Sequence, residues 1–247
     1  MSTSSQNARD GLILLWSGGK DAMLTLDVLH SQSPRRVEAL LTTVVEEVET
    51  VTMHGTPLAL VEQQAQALGI PLHVMRVPPN ASNPTYEERL ERALGPLLGE
   101  GFHTVVAGDL FLEDVKAYRE EVLRTVGARP LFPLWQRDTG WLARRFVERG
   151  YRAVVTSVDT TQLDAGFVGR TYDAAFLDDL PEGIDPCGEN GEFHTFVADG
   201  PPFREPVPVT VGEPHGDGRM RYVRLRPPVE EEGAGRETRD DSAADRT

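Results

Sequence analysis

Apolar residues recur along the chain in two alternating rhythms. Leu12 to Trp16 is a short apolar run that stops at a glycine turn, the pattern of a strand buried on both faces of a parallel sheet. From Asp21 to His30, Met23, Leu24, Leu26, Val28 and Leu29 fall at helical spacing. Val37 to Val45 is β-branched and apolar and predicts a second strand. Thr56 to Leu68 predicts a helix, closed by Gly69 with Pro71 just beyond. Leu72 to Val77 predicts a third strand, Tyr86 to Leu98 a helix, and His103 to Ala107 a fourth strand. Glu113 to Val126 predicts a further helix that ends at Gly127. Strands separated by single helices are the β-α-β rhythm of an open parallel sheet.

The rhythm loosens after Pro130. Leu131 to Trp135 is interrupted by proline, Thr139 to Arg149 predicts a helix, and Tyr151 to Val158 a strand. From Asp159 onward turn residues dominate, among them Gly166, Gly169, Pro181, Gly183, Pro186 and Gly188. The expected organisation is a disordered polar lead over 1–10, an α/β domain over 11–127, a second domain over 128–228 and a disordered acidic tail over 229–247. From Glu230 the tail has seven acids, three arginines and no large apolar residue. Such a segment buries too little surface to offset its ordering entropy.

The net charge of −14 argues against broad electrostatic binding to nucleic acid, which needs clustered cations. The longest apolar run, Gly11 to Trp16, is far too short to span a bilayer. No leader pattern of charged, apolar and then small residues opens the chain, so a cytoplasmic protein is expected. The lone Cys187 excludes an internal disulfide and any paired-cysteine metal site. Only Lys20 and Lys116 among the 25 basic residues are lysine, so a lysine kept in a glycine turn stands out.

That turn is Ser17-Gly18-Gly19-Lys20-Asp21, placed between the first strand and the first helix. Anions bind well there, because unpaired N–H groups and the helix dipole both face the loop. Two glycines let the backbone wrap closely around a phosphate, and Lys20 adds a mobile positive charge. Neither of the two commonest nucleotide loops, Gly-x4-Gly-Lys-Ser/Thr and Gly-x-Gly-x-x-Gly, is present. The segment instead resembles the pyrophosphate loop of the N-type ATP pyrophosphatases, Ser-Gly-Gly-x-Asp-Ser, with Ala22 where the pattern has Ser or Thr. Members of that superfamily cleave ATP between its α and β phosphates, adenylate a substrate oxygen, and let a nitrogen or sulfur nucleophile displace AMP.

Further segments narrow the resemblance. Met53-His54, Gln64 to Leu72, Gly108 to Glu113, Pro133-Leu134-Trp135, Gly169-Arg170 and Cys187 to Phe203 (CGENGEFHTFVADGPPF) are similar to the diphthine–ammonia ligase family. The resemblance implies a HUP-type, Rossmann-like open parallel sheet, with a smaller α+β C-terminal domain that completes the cleft. It implies ATP and Mg²⁺, and amidation by ammonium of an adenylated carboxylate. The acceptor it implies is diphthine on a translation elongation factor, in a host that makes it. It also implies ATP contacts at Ser17, Gly18, Gly19, Lys20, Asp21, Thr43, His54, Gly108 and Asp109. Asp109 is then the expected metal ligand, and His54 is expected near adenine.

In the C-terminal segment, Glu189, Asn190, Glu192, His194, Thr195 and Asp199 sit among glycines. Alternation over Glu192 to Val197 sets Glu192, His194 and Phe196 on one face and Phe193, Thr195 and Val197 on the other. One face would then present a carboxylate and an imidazole to a cleft. Ammonium must lose a proton before it attacks, so Glu192 or His194 is the expected base, joined by Lys20 in catalysis. Glu189, Glu192, His194, Thr195 and Asp199 are expected at the substrate, with Glu113 and Asp114, which follow the fourth strand where ligands gather in open sheets. Acids at a helix N-terminus are also explained by the dipole alone. Two alternatives stay open: an ATP- or AMP-binding protein of the HUP group without turnover, towards which Ala22 leans, and a pyrophosphate-loop ligase acting on another carboxylate. A tRNA-modifying enzyme is disfavoured by the charge and by the absence of paired cysteines.

Overall fold

The computed structural model describes residues 11–216 and 218–227. The expected disordered lead over 1–10 and tail over 229–247 lie outside the described residues. In chain order the first sheet takes β1 (Leu12–Leu15), β2 (Val37–Val45), β3 (Thr50–Val51), β4 (Leu72–Val77), β5 (Thr104–Val106) and β6 (Arg129–Leu131). Threaded between them are α1 (Lys20–Gln32), α2 (Leu58–Leu68), α3 (Asn83–Gly99) and α4 (Glu113–Thr125). β1 pairs in parallel with β2 and β5, β2 with β4, and β5 with β6.

β1 is apolar on both faces for a structural reason. Leu12 and Leu14 enter one core cluster while Ile13 enters another on the opposite face. α2 follows Pro57 and stops at Gly69, whose φ of 68° is left-handed. Ser82 caps α3 by accepting from the Thr85 N–H.

The second sheet has the order β8-β7-β10-β9 and is antiparallel throughout. Its strands are β7 (Arg152–Asp159), β8 (Phe193–Asp199), β9 (Thr210–His215) and β10 (Met220–Arg226), preceded by α5 (Thr139–Glu148) and interrupted by the short α6 (Ala174–Asp178). One core cluster runs through both sheets, joining Leu12, Leu14 and Leu24 to Phe146, Val155, Phe193 and Phe196. Each such side chain contributes about 1.5–3 kcal/mol when fully buried. A buried polar tie reinforces that seam. The Asp27 carboxylate on α1 accepts from Arg145 at 3.1 Å, Arg149 at 2.5 Å and the Tyr151 hydroxyl at 3.1 Å.

Three differences from the sequence pattern have physical causes. β6 contains Pro130, yet it is the last strand of its sheet, and an edge strand tolerates a residue without N–H. The first sheet therefore continues to Leu131, past the expected domain change at Gly127. β9 and β10 lie where turn residues were expected to dominate; β9 is exposed along most of its length and shows little apolar alternation. The third difference is the two-residue β3, too short to leave a pattern. It pairs antiparallel with the end of β2, through Val44–Val51 and Val45–Thr50. β4 already occupies the other edge of β2 there, so β3 extends the line of β1 and hangs its turn, Met53-His54-Gly55, above the end of that strand.

Among the described residues no helix is long and apolar enough to cross a membrane.

Candidate nucleotide site

After β1 the chain turns through Trp16 to Gly19 into α1. Gly18 has φ +79°, and a Cβ there would sit 2.7 Å from Gln64 Oε1, so both conformation and space call for glycine. Gly19 is the N-cap of α1 and supplies no side-chain cap. The first-turn N–H groups have no partner within the helix, and the positive end of the dipole lies at the loop.

The second sheet closes over this loop. The Lys20 N–H donates to Thr195 Oγ1 at 3.1 Å, and the Val197 N–H donates to the Gly18 carbonyl at 2.9 Å. Gln64, fully buried on α2, fastens the pieces together. Its Nε2 donates to the Gly18 carbonyl at 3.0 Å and to the Val197 carbonyl at 2.6 Å, while its Oε1 accepts from Trp16 Nε1 at 3.0 Å. The Ser17 hydroxyl accepts from the Gly19 N–H at 3.3 Å.

Lys20 is 2% exposed, with its ammonium 3.0 Å from both Asp21 oxygens and 5.3 Å from the centre of the Phe193 ring. Burial opposes its charge, but Asp21, Cys187 and Glu189 outweigh burial and hold its pKa above the ordinary lysine value. Gly108 packs against the same helix start, where a Cβ would meet Thr25 Oγ1 at 2.9 Å and the Asp21 carbonyl at 3.1 Å.

Two imidazoles from different sheets face each other across the loop. The rings of His54 and His194 are 4.6 Å apart. Desolvation first, then Lys20, lowers the pKa of His54 to about 4. Desolvation, His54 and Lys20 lower that of His194 to about 3. Both rings are neutral at pH 7. Glu189 is shifted the other way: burial, then the charge of Asp21, raises it to about 8.

The remaining expected residues fall elsewhere. Glu192 does not present a free carboxylate to a cleft. It is buried and accepts from the Asp185 N–H at 3.0 Å, the Asn190 N–H at 2.8 Å and the Asn190 side-chain amide at 2.9 Å, so it organises the turn and is unsuited to act as a base. Of the expected shared face of Glu192, His194 and Phe196, only His194 reaches the loop; Glu192 is turned into its own turn and Phe196 is fully buried. Asp199 lies at the far end of β8, accepting from the Gly200 N–H and ion-paired with Arg152 at 2.9 Å, away from a substrate role. Asp109 is ion-paired with Arg119 at 2.8 Å, which competes with metal binding. Among the described residues no group of three or more His, Cys, Asp or Glu side chains stands where it could hold a metal ion. Glu113 and Asp114 are exposed on the first turn of α4, the position the helix dipole explains. Thr43 is half-buried on β2, its carbonyl accepting from Thr52 N–H at 3.1 Å. Cys187 is buried, its thiol directed at the Thr139 carbonyl at 3.4 Å, and burial pushes its pKa up.

Two residues that organise the site were not expected from the sequence. Gln64 carries a readable signal, an amide on the apolar stripe of Leu60, Val61 and Ala65. Asp185 accepts from the Thr139 hydroxyl at 2.6 Å and the Cys187 N–H at 2.8 Å, and it has no such periodic signature.

A mainly parallel sheet with a glycine–lysine loop at its first crossover, closed by a strand from an antiparallel sheet, defines a two-sheet α/β protein with the loop enclosed between its sheets. Residues 11–130 match the family model for the diphthamide synthase N-terminal domain, and residues 138–227 match that for the C-terminal domain. The chain belongs to the diphthamide synthase, or diphthine–ammonia ligase, family. It is similar to a diphthine–ammonia ligase of Homo sapiens, 32% identical over 108 residues, covering 41% of this chain and 40% of the human protein. The protein of that name from Danio rerio is 26% identical over 184 residues, covering 65% and 72% respectively. In the Schizosaccharomyces pombe protein the matched stretch, 29% identical over 113 residues, covers 43% of this chain and 19% of the relative. The chain thus spans less than half the length of the human and fission-yeast relatives. A crystal structure described as a predicted subunit of tRNA methyltransferase from Methanocaldococcus jannaschii superposes with TM-score 0.40 at 16% identity, over 58% of this chain and 76% of that one.

Proposed function

We propose that the protein activates a carboxylate with ATP and amidates it with ammonium, releasing pyrophosphate and AMP. The observation that carries this reading is the closure of the Ser17–Asp21 loop by the strand bearing His194 and Thr195, through the Lys20–Thr195 and Gly18–Val197 hydrogen bonds. A substrate carboxylate oxygen attacks the α-phosphorus, and the bond to the bridging oxygen breaks towards the β-phosphate. Lys20 and the first N–H groups of α1 then stabilise the charge that develops on the leaving pyrophosphate. Ammonia adds to the acyl carbon, AMP leaves, and the amide remains.

The base in this reading is Glu189 rather than Glu192. The ionised form of a carboxyl raised to about 8 is a stronger proton acceptor for ammonium than an ordinary carboxylate. Mg²⁺ would come on the nucleotide's own phosphates, the usual arrangement for that ion, rather than in a cage of protein carboxylates. The proposed acceptor is diphthine, the substrate in the relatives' name, carried on a translation elongation factor. Ala22 turns its methyl into the apolar core, which weakens the binding-only alternative.

The test is ATP labelled at the α-phosphate, incubated with the protein, Mg²⁺, ammonium and a desalted host extract. Labelled AMP that requires the extract and is lost in Lys20→Ala is the expected result. ADP as the Lys20-dependent product overturns the assignment, and bound ATP without any product replaces it with the binding-only reading.

A further inference from the structure

The histidine pair is more than a lining of the cleft. His54 comes from the turn after β3 in the first sheet and His194 from β8 in the second, and their rings meet 4.6 Å apart at the phosphate loop. His54 is seated on the loop itself: a Cβ on Gly19 would lie 3.1 Å from its Cε1 and 3.0 Å from the Thr195 carbonyl. That places the ring against the anion-binding backbone, not at a distance suited only to a base. His54 Nδ1 is buried and has no hydrogen-bond partner among the described residues. A buried ring nitrogen left unpaired costs free energy unless a ligand or a proton satisfies it.

Resting on the ATP reading above, we propose that His54 and His194 are an anion-binding element for the diphosphate group of the nucleotide and take up protons from solvent as that group settles on the loop.

The charges around the pair explain why imidazole suits this position. Lys20 of α1 faces both rings, Asp21 of α1 faces His194, and the two rings face each other. Cys187 and Glu189, from the loop before β8, also act on Lys20. Lys20 already has its counter-charge in Asp21 at 3.0 Å. A second permanent cation buried beside Lys20 would be repelled and desolvated with nothing to balance it. An imidazole avoids this by staying neutral until an anion arrives. A diphosphate within a few ångströms reverses the local field and favours the protonated ring, which then donates to the phosphate oxygens. When pyrophosphate departs the rings lose their protons, so Lys20 is not left facing two buried cations.

The test uses the full chain and two probes, inorganic pyrophosphate and AMP, titrated by calorimetry at pH 7 in buffers of different ionisation enthalpy. Pyrophosphate binding is expected to draw more protons onto the wild-type complex than onto His54→Gln or His194→Gln. The ligand's own titration is common to all three proteins. AMP, which lacks the diphosphate, is expected to bind with little proton uptake. From pH 8 to pH 6, wild-type affinity for pyrophosphate should rise by up to about tenfold per pH unit per proton beyond the rise in the double variant. Equal proton counts for wild type and variants on binding pyrophosphate overturn the inference while leaving the ATP reading standing. Failure of the wild type to bind pyrophosphate or ATP overturns both. Should the glutamine variants fail to fold, the imidazole C–H proton resonances of the wild type decide: two of them should move towards the imidazolium position when pyrophosphate binds at pH 7, and unchanged resonances overturn the inference.

Discussion

The Ser17–Asp21 loop and the Gly188–Glu192 turn are both glycine-bearing bends at the same cleft, but they are held by different means. The first takes its shape from outside, from Gln64 on α2 and from Thr195 and Val197 of the other sheet. Its charged side chains are spared for each other and for a ligand. The second takes its shape largely from its own neighbourhood: Glu192 alone accepts three hydrogen bonds, and Asp185 gathers the chain before it. A carboxylate with its acceptor sites already filled by N–H groups is part of the scaffold. Glu189, in the same turn, is pushed towards its neutral form and remains chemically available. Hydrogen-bond occupancy, rather than residue type, separates the two roles.

The largest expected effect breaks the first region. Lys20→Ala should lower turnover by at least about 100-fold, the cost of removing one preorganised donor from a developing oxyanion. Far-ultraviolet circular dichroism checks that the fold survives, and near-normal AMP release would remove Lys20 from the chemistry. The second region should fail in the opposite manner. Glu192→Ala leaves three donors without their acceptor, costing about 3 kcal/mol, or roughly 6–12 °C of melting temperature in a chain of this size. Its turnover, measured well below the melting transition, should stay within about threefold of wild type, because the loss falls on stability. Lost turnover with an unchanged melting curve would mean that Glu192 acts in the chemistry after all.

Much of this contrast was legible before the structure, and the gaps are instructive. The parallel sheet was readable because its central strands β1 and β5 are buried almost throughout, and β2 and β4 fall on Val37–Val45 and Leu72–Val77 as the pattern predicts. The loop was readable because strand, two glycines, lysine and helix follow one another in sequence. The assignments that changed depend on pairings that the apolar pattern does not encode, whether near in sequence, as Asn190 is to Glu192, or far, as Arg152 is from Asp199. Nothing local announces that Asp109 meets Arg119 or that Asp199 meets Arg152. Glu192 was misread because alternation gives the face of a side chain but not how many N–H groups already point at it. β9 escaped notice because an exposed edge strand has little apolar pattern to show.

Acidity and alkalinity should separate the two regions by the sign of their effects on stability. Glu189 titrates at about 8 in the fold, above an ordinary carboxylate, so the folded state keeps its proton longer than the unfolded chain does. Its contribution is full below the ordinary carboxylate pKa and is lost as pH rises towards 8. His54 and His194, lowered to about 4 and about 3, favour the fold above the ordinary histidine pKa and lose that contribution as pH falls towards those values. Melting temperature followed from pH 4 to pH 9 should therefore lose part of its fall between about pH 4.5 and pH 8 in Glu189→Gln, and part of its rise between about pH 4 and pH 6.5 in His54→Gln. Parallel curves for all three proteins would refute both assignments. The smallest effect is expected at Ala22, whose methyl lies in the apolar core. Ala22→Ser should cost about 1 kcal/mol by burying a hydroxyl and change turnover by less than about twofold; a large gain would show that the position faces the phosphates.

The hydrogen bond from Lys20 to Thr195 spans 175 positions of the chain. At roughly 5–20 residues per second, the loop's partner is synthesised about 9–35 s after the loop itself. Throughout that interval a nascent chain carries Ser17–Asp21 without the strand that closes over it. The cleft at Ser17–Asp21 is therefore finished late in translation, and a chain that ends before β8 lacks the wall that the second sheet supplies.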